Sequence, residues 1–220
     1  MNIYSQVYLI LLSITLISYI IQFRKKDLYV KMLILLMILW LVTTLAAIYS
    51  TKYAGLKNNL FIFHIFTPLE YVLLALFYRD IIVNSRVKKI ISYSIPIFIL
   101  LAILFSVFIQ KPDTSNSTVI MIESVIVIFL SLFFLREVLL LQHATILYRF
   151  PLFWISVGIL FYFTGNMIIE GLLNYMISHS MQLARRVYHI GHVFKYLLFL
   201  LFIIGAYCNR FVPLPLNRNR

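Results

Sequence analysis

The feature that most constrains this chain is a series of seven apolar stretches, each about 20 residues long. An α-helix rises about 1.5 Å per residue, so about 20 apolar residues are needed to cross roughly 30 Å of hydrocarbon. The stretches predict an all-α, polytopic membrane protein with seven transmembrane helices. The predicted spans are residues 3–23, 28–50, 60–79, 90–110, 118–141, 151–173 and 187–207, followed by a short basic tail at 208–220.

Composition supports a chain that is solvated mainly by lipid. Hydrophobic residues make up 63% of it and charged residues 12%, whereas soluble domains are roughly half apolar and a quarter charged. The aromatic content of 16% excludes disorder, and the single cysteine excludes a disulfide scaffold. No connection between the predicted spans has room for an extramembrane domain.

The 19 lysines and arginines are spread unevenly over the two membrane faces. Most of them fall after the first, third and fifth spans and in the tail, for example at Arg24, Lys25, Lys26, Arg86, Lys88, Lys89 and Arg149. Because cytoplasmic loops retain Lys and Arg, this distribution predicts an outer N-terminus and a cytoplasmic C-terminus. The dispersed cations are typical of contact with the lipid bilayer and do not indicate nucleic-acid binding.

Polar residues inside the spans gather in the predicted outer half. Ionisable groups are costly in hydrocarbon, so they mark candidate sites. We expect spans 3, 5, 6 and 7 to line an outward-open pocket, in which Glu70 is the expected ionic partner of Lys195. The candidate ligand pocket consists of His64, Thr67, Glu70, Glu123, Asn166, Glu170, His189, His192 and Lys195.

Several functions fit such a pocket. The favoured one is a membrane sensor that binds a ligand without catalysis or cofactor and signals through a partner protein at the cytoplasmic face. A second is an intramembrane zinc-dependent lipid hydrolase, because histidine and carboxylate ligate zinc. The ligands would be His64, Glu123, His189 and His192. Span 7 then resembles that of the ceramidase and progestin-receptor superfamily. A transporter, a subunit of a membrane complex, or a purely structural charge network also remains open.

Lys195 on span 7 and the Phe66-Thr67-Pro68-Leu69 run on span 3 resemble microbial rhodopsins. That resemblance implies a retinal Schiff base at Lys195. The rhodopsin pattern has an acid one turn before this lysine, and Gly191 stands there in this chain.

Three further segments resemble small, uncharacterised seven-helix proteins of Bacteroidota. They are Phe77-Tyr78-Arg79-Asp80, Pro151-Leu152-Phe153-Trp154-Ile155-Ser156 and the stretch from Gly158 to Gly165. Those proteins are similar to the membrane sensor modules of signalling kinases, which implies a sensor in a bacterial inner membrane. Gly158 and Gly165, seven residues apart, also predict close contact between helices.

The orientation can be tested with a topology reporter fused after Arg220. The distribution of Lys and Arg together with an odd number of spans predicts cytoplasmic activity for this fusion. The activity of the same reporter on the external side would contradict the predicted orientation.

Overall fold

The computed structural model describes residues 3–22, 28–53, 58–110, 114–141, 147 and 150–208. This part of the chain is helical and contains no strand. Its helices are α1 (Ile3–Gln22), α2 (Leu28–Lys52), α3 (Leu60–Ile81), α4 (Ser85–Phe108), α5 (Ser117–Leu141), α6 (Pro151–His179) and α7 (Met181–Cys208). All seven are long and apolar enough to cross a membrane, which confirms the predicted all-α fold with seven candidate spans.

Three helices, α4, α6 and α7, differ from the predicted spans by more than two residues in length. Helix α4 begins five positions earlier than predicted, where the Asn84 side chain accepts hydrogen bonds from the backbone N–H groups of Arg86 and Val87. Helices α6 and α7 have 29 and 28 residues and are separated by Ser180. At about 1.5 Å per residue each exceeds a hydrocarbon thickness of roughly 30 Å. Hydropathy therefore predicted the apolar segments of α6 and α7, but it did not predict the helical turns that continue beyond those segments.

The predicted tail lies almost entirely outside the described residues. Cys208 is the last residue of α7, and nothing is described for 209–220. The basic run Arg24-Lys25-Lys26 and Arg149 also lie outside the described part.

Six of the helices form a closed ring. Each helix packs against the next in the order α1, α2, α3, α5, α6 and α7, and α7 packs back against α1. Helix α4 lies outside this ring against α3, with a smaller contact to α5. Such a ring encloses an interior that polar side chains can occupy away from lipid.

Helices α6 and α7 pack closely along a line of glycines, which we call the glycine seam. A Cβ atom added at Gly165 would lie 2.4 Å from Cγ of Phe194, and one added at Gly205 would lie 3.1 Å from the carbonyl oxygen of Pro151. A Cβ at Gly158 would lie 3.2 Å from that of Leu201. Small residues let helix backbones approach, so the predicted close contact at Gly158 and Gly165 is confirmed.

A carboxylate joins three helices at the end of the bundle predicted to be cytoplasmic. Glu137 of α5 accepts hydrogen bonds from the backbone N–H groups of Val83 and Asn84, at 3.0 and 3.1 Å. These two donors precede α4, where helix N–H groups lack partners within the helix. Glu137 therefore attaches α5 to the turn between α3 and α4.

The glycine seam predicts the effect of adding one methyl group. Replacing Gly165 with Ala should lower the free energy of unfolding by about 1–3 kcal/mol, because the methyl group has to displace the Phe194 ring. The matched control is Gly171→Ala, since a Cβ at Gly171 has Met121 Cε as its nearest neighbour at an ordinary 3.5 Å. Thermal unfolding in detergent compares the two variants. A Gly165→Ala protein as stable as Gly171→Ala would show that the seam tolerates a wider spacing.

Candidate functional site

The ring encloses a cavity of about 460 Å³, which we call the polar cavity. Its walls come from α1, α2, α3, α5, α6, α7 and the residues just before α5. The side chains that can ionise or form hydrogen bonds are Ser5, Tyr8, Trp40, Thr43, Thr44, Thr51, Asn59, Thr67, Glu70, Ser115, Asn116, Tyr162, Asn166, Glu170, His192 and Lys195. All of these helices contribute the half that lies at the predicted outer end of the bundle.

Six of the nine predicted pocket residues line the polar cavity. They are Thr67, Glu70, Asn166, Glu170, His192 and Lys195. The lining does not include His64, Glu123 or His189. The structure thus brings together six of the predicted residues from α3, α6 and α7, and it adds walls from α1 and α2.

Glu70 and Trp40 form a buried polar contact at the cavity wall. The indole Nε1–H of Trp40 donates to Glu70 Oε1 at 2.7 Å, and the two residues are 5% and 4% exposed. The Trp40 ring also packs against Tyr162 and Phe199, with ring centroids 6.3 and 5.8 Å apart. These aromatic side chains bound the cavity toward the middle of the bundle.

Lys195 lies on the cavity wall beside an aromatic ring. Its Nζ is 5.6 Å from the centroid of the Tyr8 ring, a cation–π geometry. Oε1 of Glu70, the expected ionic partner of this ammonium, accepts the Trp40 N–H. Lys195 still attracts both Glu70 and Glu170 electrostatically.

Some buried polar atoms at or near the cavity have no hydrogen-bond partner. Asn116 is 2% exposed, and neither Oδ1 nor Nδ2 of its amide has one. Oε2 of Glu170 and Oε1 of Glu123 are also buried without a hydrogen-bond partner, and Glu123 is 1% exposed. Buried polar groups are nearly always paired, so these atoms indicate where a polar molecule would find partners.

His64 lies in a different environment, between α3, α4 and the residues before α5. Its Nδ1 is 2.8 Å from the Ser106 hydroxyl, and its Nε2 is 3.1 Å from the Thr114 carbonyl oxygen. Because a carbonyl only accepts, Nε2 is the donor, and in the neutral ring Nδ1 accepts from Ser106. His64 therefore connects α3 to α4 and to the segment that precedes α5.

His189 and His192 belong to a stack of rings between α7 and the start of α1. The Tyr4 ring lies 4.6 Å from the ring of His189 and 5.6 Å from that of His192, measured between centroids. The Tyr196 hydroxyl donates to the Tyr4 carbonyl oxygen at 2.9 Å. This stack holds the start of α1 against α7.

The four side chains predicted as zinc ligands are distributed over these separate places. Among the described residues, no three His, Cys, Asp or Glu side chains form a group that could hold a metal ion. A zinc site with three protein ligands and one open position needs such a group.

Trp40, Tyr8 and Asn116 line the cavity although the sequence did not predict them as cavity residues. Trp40 lies on α2 and Tyr8 on α1, two helices that were not expected to line the pocket. An aromatic residue in an apolar span has the same pattern whether it faces lipid or a cavity. Asn116, one residue before α5, resembles an ordinary helix cap in sequence. Their common position on the cavity wall follows only from the arrangement of the six ring helices.

Comparison of the chain with protein-family models, curated proteins and solved structures found no match.

The hydrogen bond between Trp40 and Glu70 predicts a measurable coupling. Trp40→Phe removes the donor and leaves the buried Glu70 carboxylate without it, which should lower the free energy of unfolding by about 1–3 kcal/mol. In a Glu70→Leu background, Trp40→Phe should lower the free energy of unfolding by less than it does in the wild-type protein, because no carboxylate then needs a partner. Thermal or denaturant unfolding of both single variants and the double variant gives a coupling of about 1 kcal/mol or more. Additive losses would contradict the contact.

Proposed function

We propose that this protein is a seven-helix membrane sensor that binds a small molecule in the polar cavity and signals to a partner protein. In this proposal it resides in a bacterial inner membrane with its N-terminus outside, so the polar cavity faces the exterior. The observation that carries the proposal is a cavity of about 460 Å³ walled by all six helices of the ring. Its volume falls within the range of about 300–1,000 Å³ that is typical of ligand pockets.

The contrast between the two halves of the ring supports binding over transport. In the half below the polar cavity, the Tyr78 hydroxyl is 2.7 Å from the Ser131 hydroxyl, and both residues are fully buried. Phe134 and Phe202 are also buried in this half. Large side chains fill the interior of this half, so a binding site open at one end is the simplest function for this arrangement.

Helices α6 and α7 can transmit a displacement from the cavity to the opposite end of the bundle. Glu170 and Lys195 line the cavity on these two helices. The glycine seam continues from Gly165 at cavity level to Gly205 beside Pro151 at the other end. A ligand that moves one helix would therefore shift both, since closely packed helices transmit displacement. A partner protein at the predicted cytoplasmic end would detect the shift.

Access to the cavity can be measured with cysteine labelling because the chain has one native cysteine, Cys208. In a Cys208→Ser background, Thr44→Cys places a thiol on the cavity wall. A membrane-impermeant thiol reagent added to intact cells should modify it. The matched control is Ser131→Cys, another hydroxyl-to-thiol change at a position with 0% exposure in the packed half, which should stay unmodified.

The labelling outcomes separate the alternatives. Modification of Thr44→Cys only from the cytoplasmic side would reverse the proposed orientation, and no modification from either side would contradict an accessible cavity. A transporter exposes its interior alternately, so labelling of Ser131→Cys in inside-out vesicles would favour transport over sensing.

A further inference from the structure

We infer that the ligand of the polar cavity is an organic monocation: an ammonium group on an aromatic or apolar body. This inference rests on the proposed function and specifies the chemical class that the site accepts. It is carried by the charges at the cavity, by an unpartnered amide in its wall and by the aromatic surfaces beside them.

The carboxylates at the cavity outnumber its ammonium group. Glu70 and Glu170 line the cavity, and Glu123 lies behind the wall, where it interacts electrostatically with Glu70. Lys195 also lines the cavity, and its ammonium group interacts favourably with both Glu70 and Glu170. A buried carboxylate is stabilised by a nearby cation. A monocationic ligand beside these carboxylates would favour their ionised form and would be attracted to it.

Asn116 is the observation that distinguishes a binding site from a mere acidic cluster. It directly precedes α5 and its carbonyl oxygen accepts from the Ile120 N–H at 3.1 Å, as a capping residue does. Asn84 precedes α4 in the same way, and its side chain accepts two backbone N–H groups. The Asn116 side chain accepts none, is 2% exposed and lines the cavity. Its oxygen is free to accept from an ammonium.

Aromatic rings cover much of the remaining wall. Tyr8, Trp40, Phe63, Phe66, Tyr162 and Phe199 all line the cavity. Aromatic faces attract cations and bury apolar surface, so they suit both parts of an aromatic amine. Lys195 already shows the first of these interactions with Tyr8.

Three compounds with the same indole ring test the inference: tryptamine, L-tryptophan and indole-3-propanoate. They carry an ammonium, an ammonium with a carboxylate, and a carboxylate. Binding of radiolabelled tryptamine to the purified full-length protein should be saturable, and each of the other compounds should compete at least about tenfold less well. Tighter competition by indole-3-propanoate or L-tryptophan would overturn the monocation class and leave the proposed function intact.

Two asparagine variants provide a matched pair. Asn116→Ala should weaken tryptamine binding at least about tenfold, the effect of one hydrogen bond to a charged group, and should leave the unfolding temperature unchanged or higher. Asn84→Ala removes a true helix cap, so it should lower the unfolding temperature and leave binding unchanged. If Asn116→Ala fails to fold, Glu170→Gln tests the same site, with weakened tryptamine binding expected and unchanged binding as the contrary result.

Absence of binding by all three compounds, or an Asn116→Ala protein that binds tryptamine normally, would overturn the inference. The Thr44→Cys labelling then decides the proposed function separately. An accessible cavity that binds none of the three indoles has another ligand class, and an inaccessible cavity contradicts both proposals.

Discussion

The carboxylates within the apolar spans impose the main constraint on this fold. Glu70 and Glu123 are almost fully buried, and Glu170 has a buried oxygen. Charge is costly in hydrocarbon, so helices that carry such groups must turn them toward one another. The ring of six helices meets this requirement, and the Trp40 indole provides Glu70 with a neutral donor. Lipid then contacts the apolar outer faces.

The two halves of the ring differ in what occupies their interior: large side chains pack in one half, and the other half contains the polar cavity. Near the predicted cytoplasmic end, Tyr78 pairs with Ser131 and Glu137 holds the turn before α4. Near the other end, atoms of Asn116 and Glu170 have no partner. These atoms lie at or near the cavity, where a polar molecule could provide the missing hydrogen bonds. The difference is consistent with a rigid base that supports a binding half.

The positions of individual residues show why the candidate site was only partly predictable. Glu70 and Lys195 were identified from burial cost alone, because an ionisable group in an apolar helix stands out in any sequence. His64 and His189 stand out equally, yet one bridges to Ser106 and the other stacks on Tyr4. Helical periodicity gives a residue's direction relative to its own helix. It does not give the rotation of that helix against its neighbours.

The sequence by itself determined the seven helical spans, because hydrocarbon thickness and backbone hydrogen bonding leave a chain of this hydropathy few alternatives. It also determined the close approach of helices at Gly158 and Gly165, where a missing side chain permits contact. Only the tertiary structure decided that α4 stands outside the ring, that α1 and α2 wall the cavity, and that Trp40 is the partner of Glu70. These outcomes depend on which helix faces meet, and that is settled by packing between segments far apart in the chain.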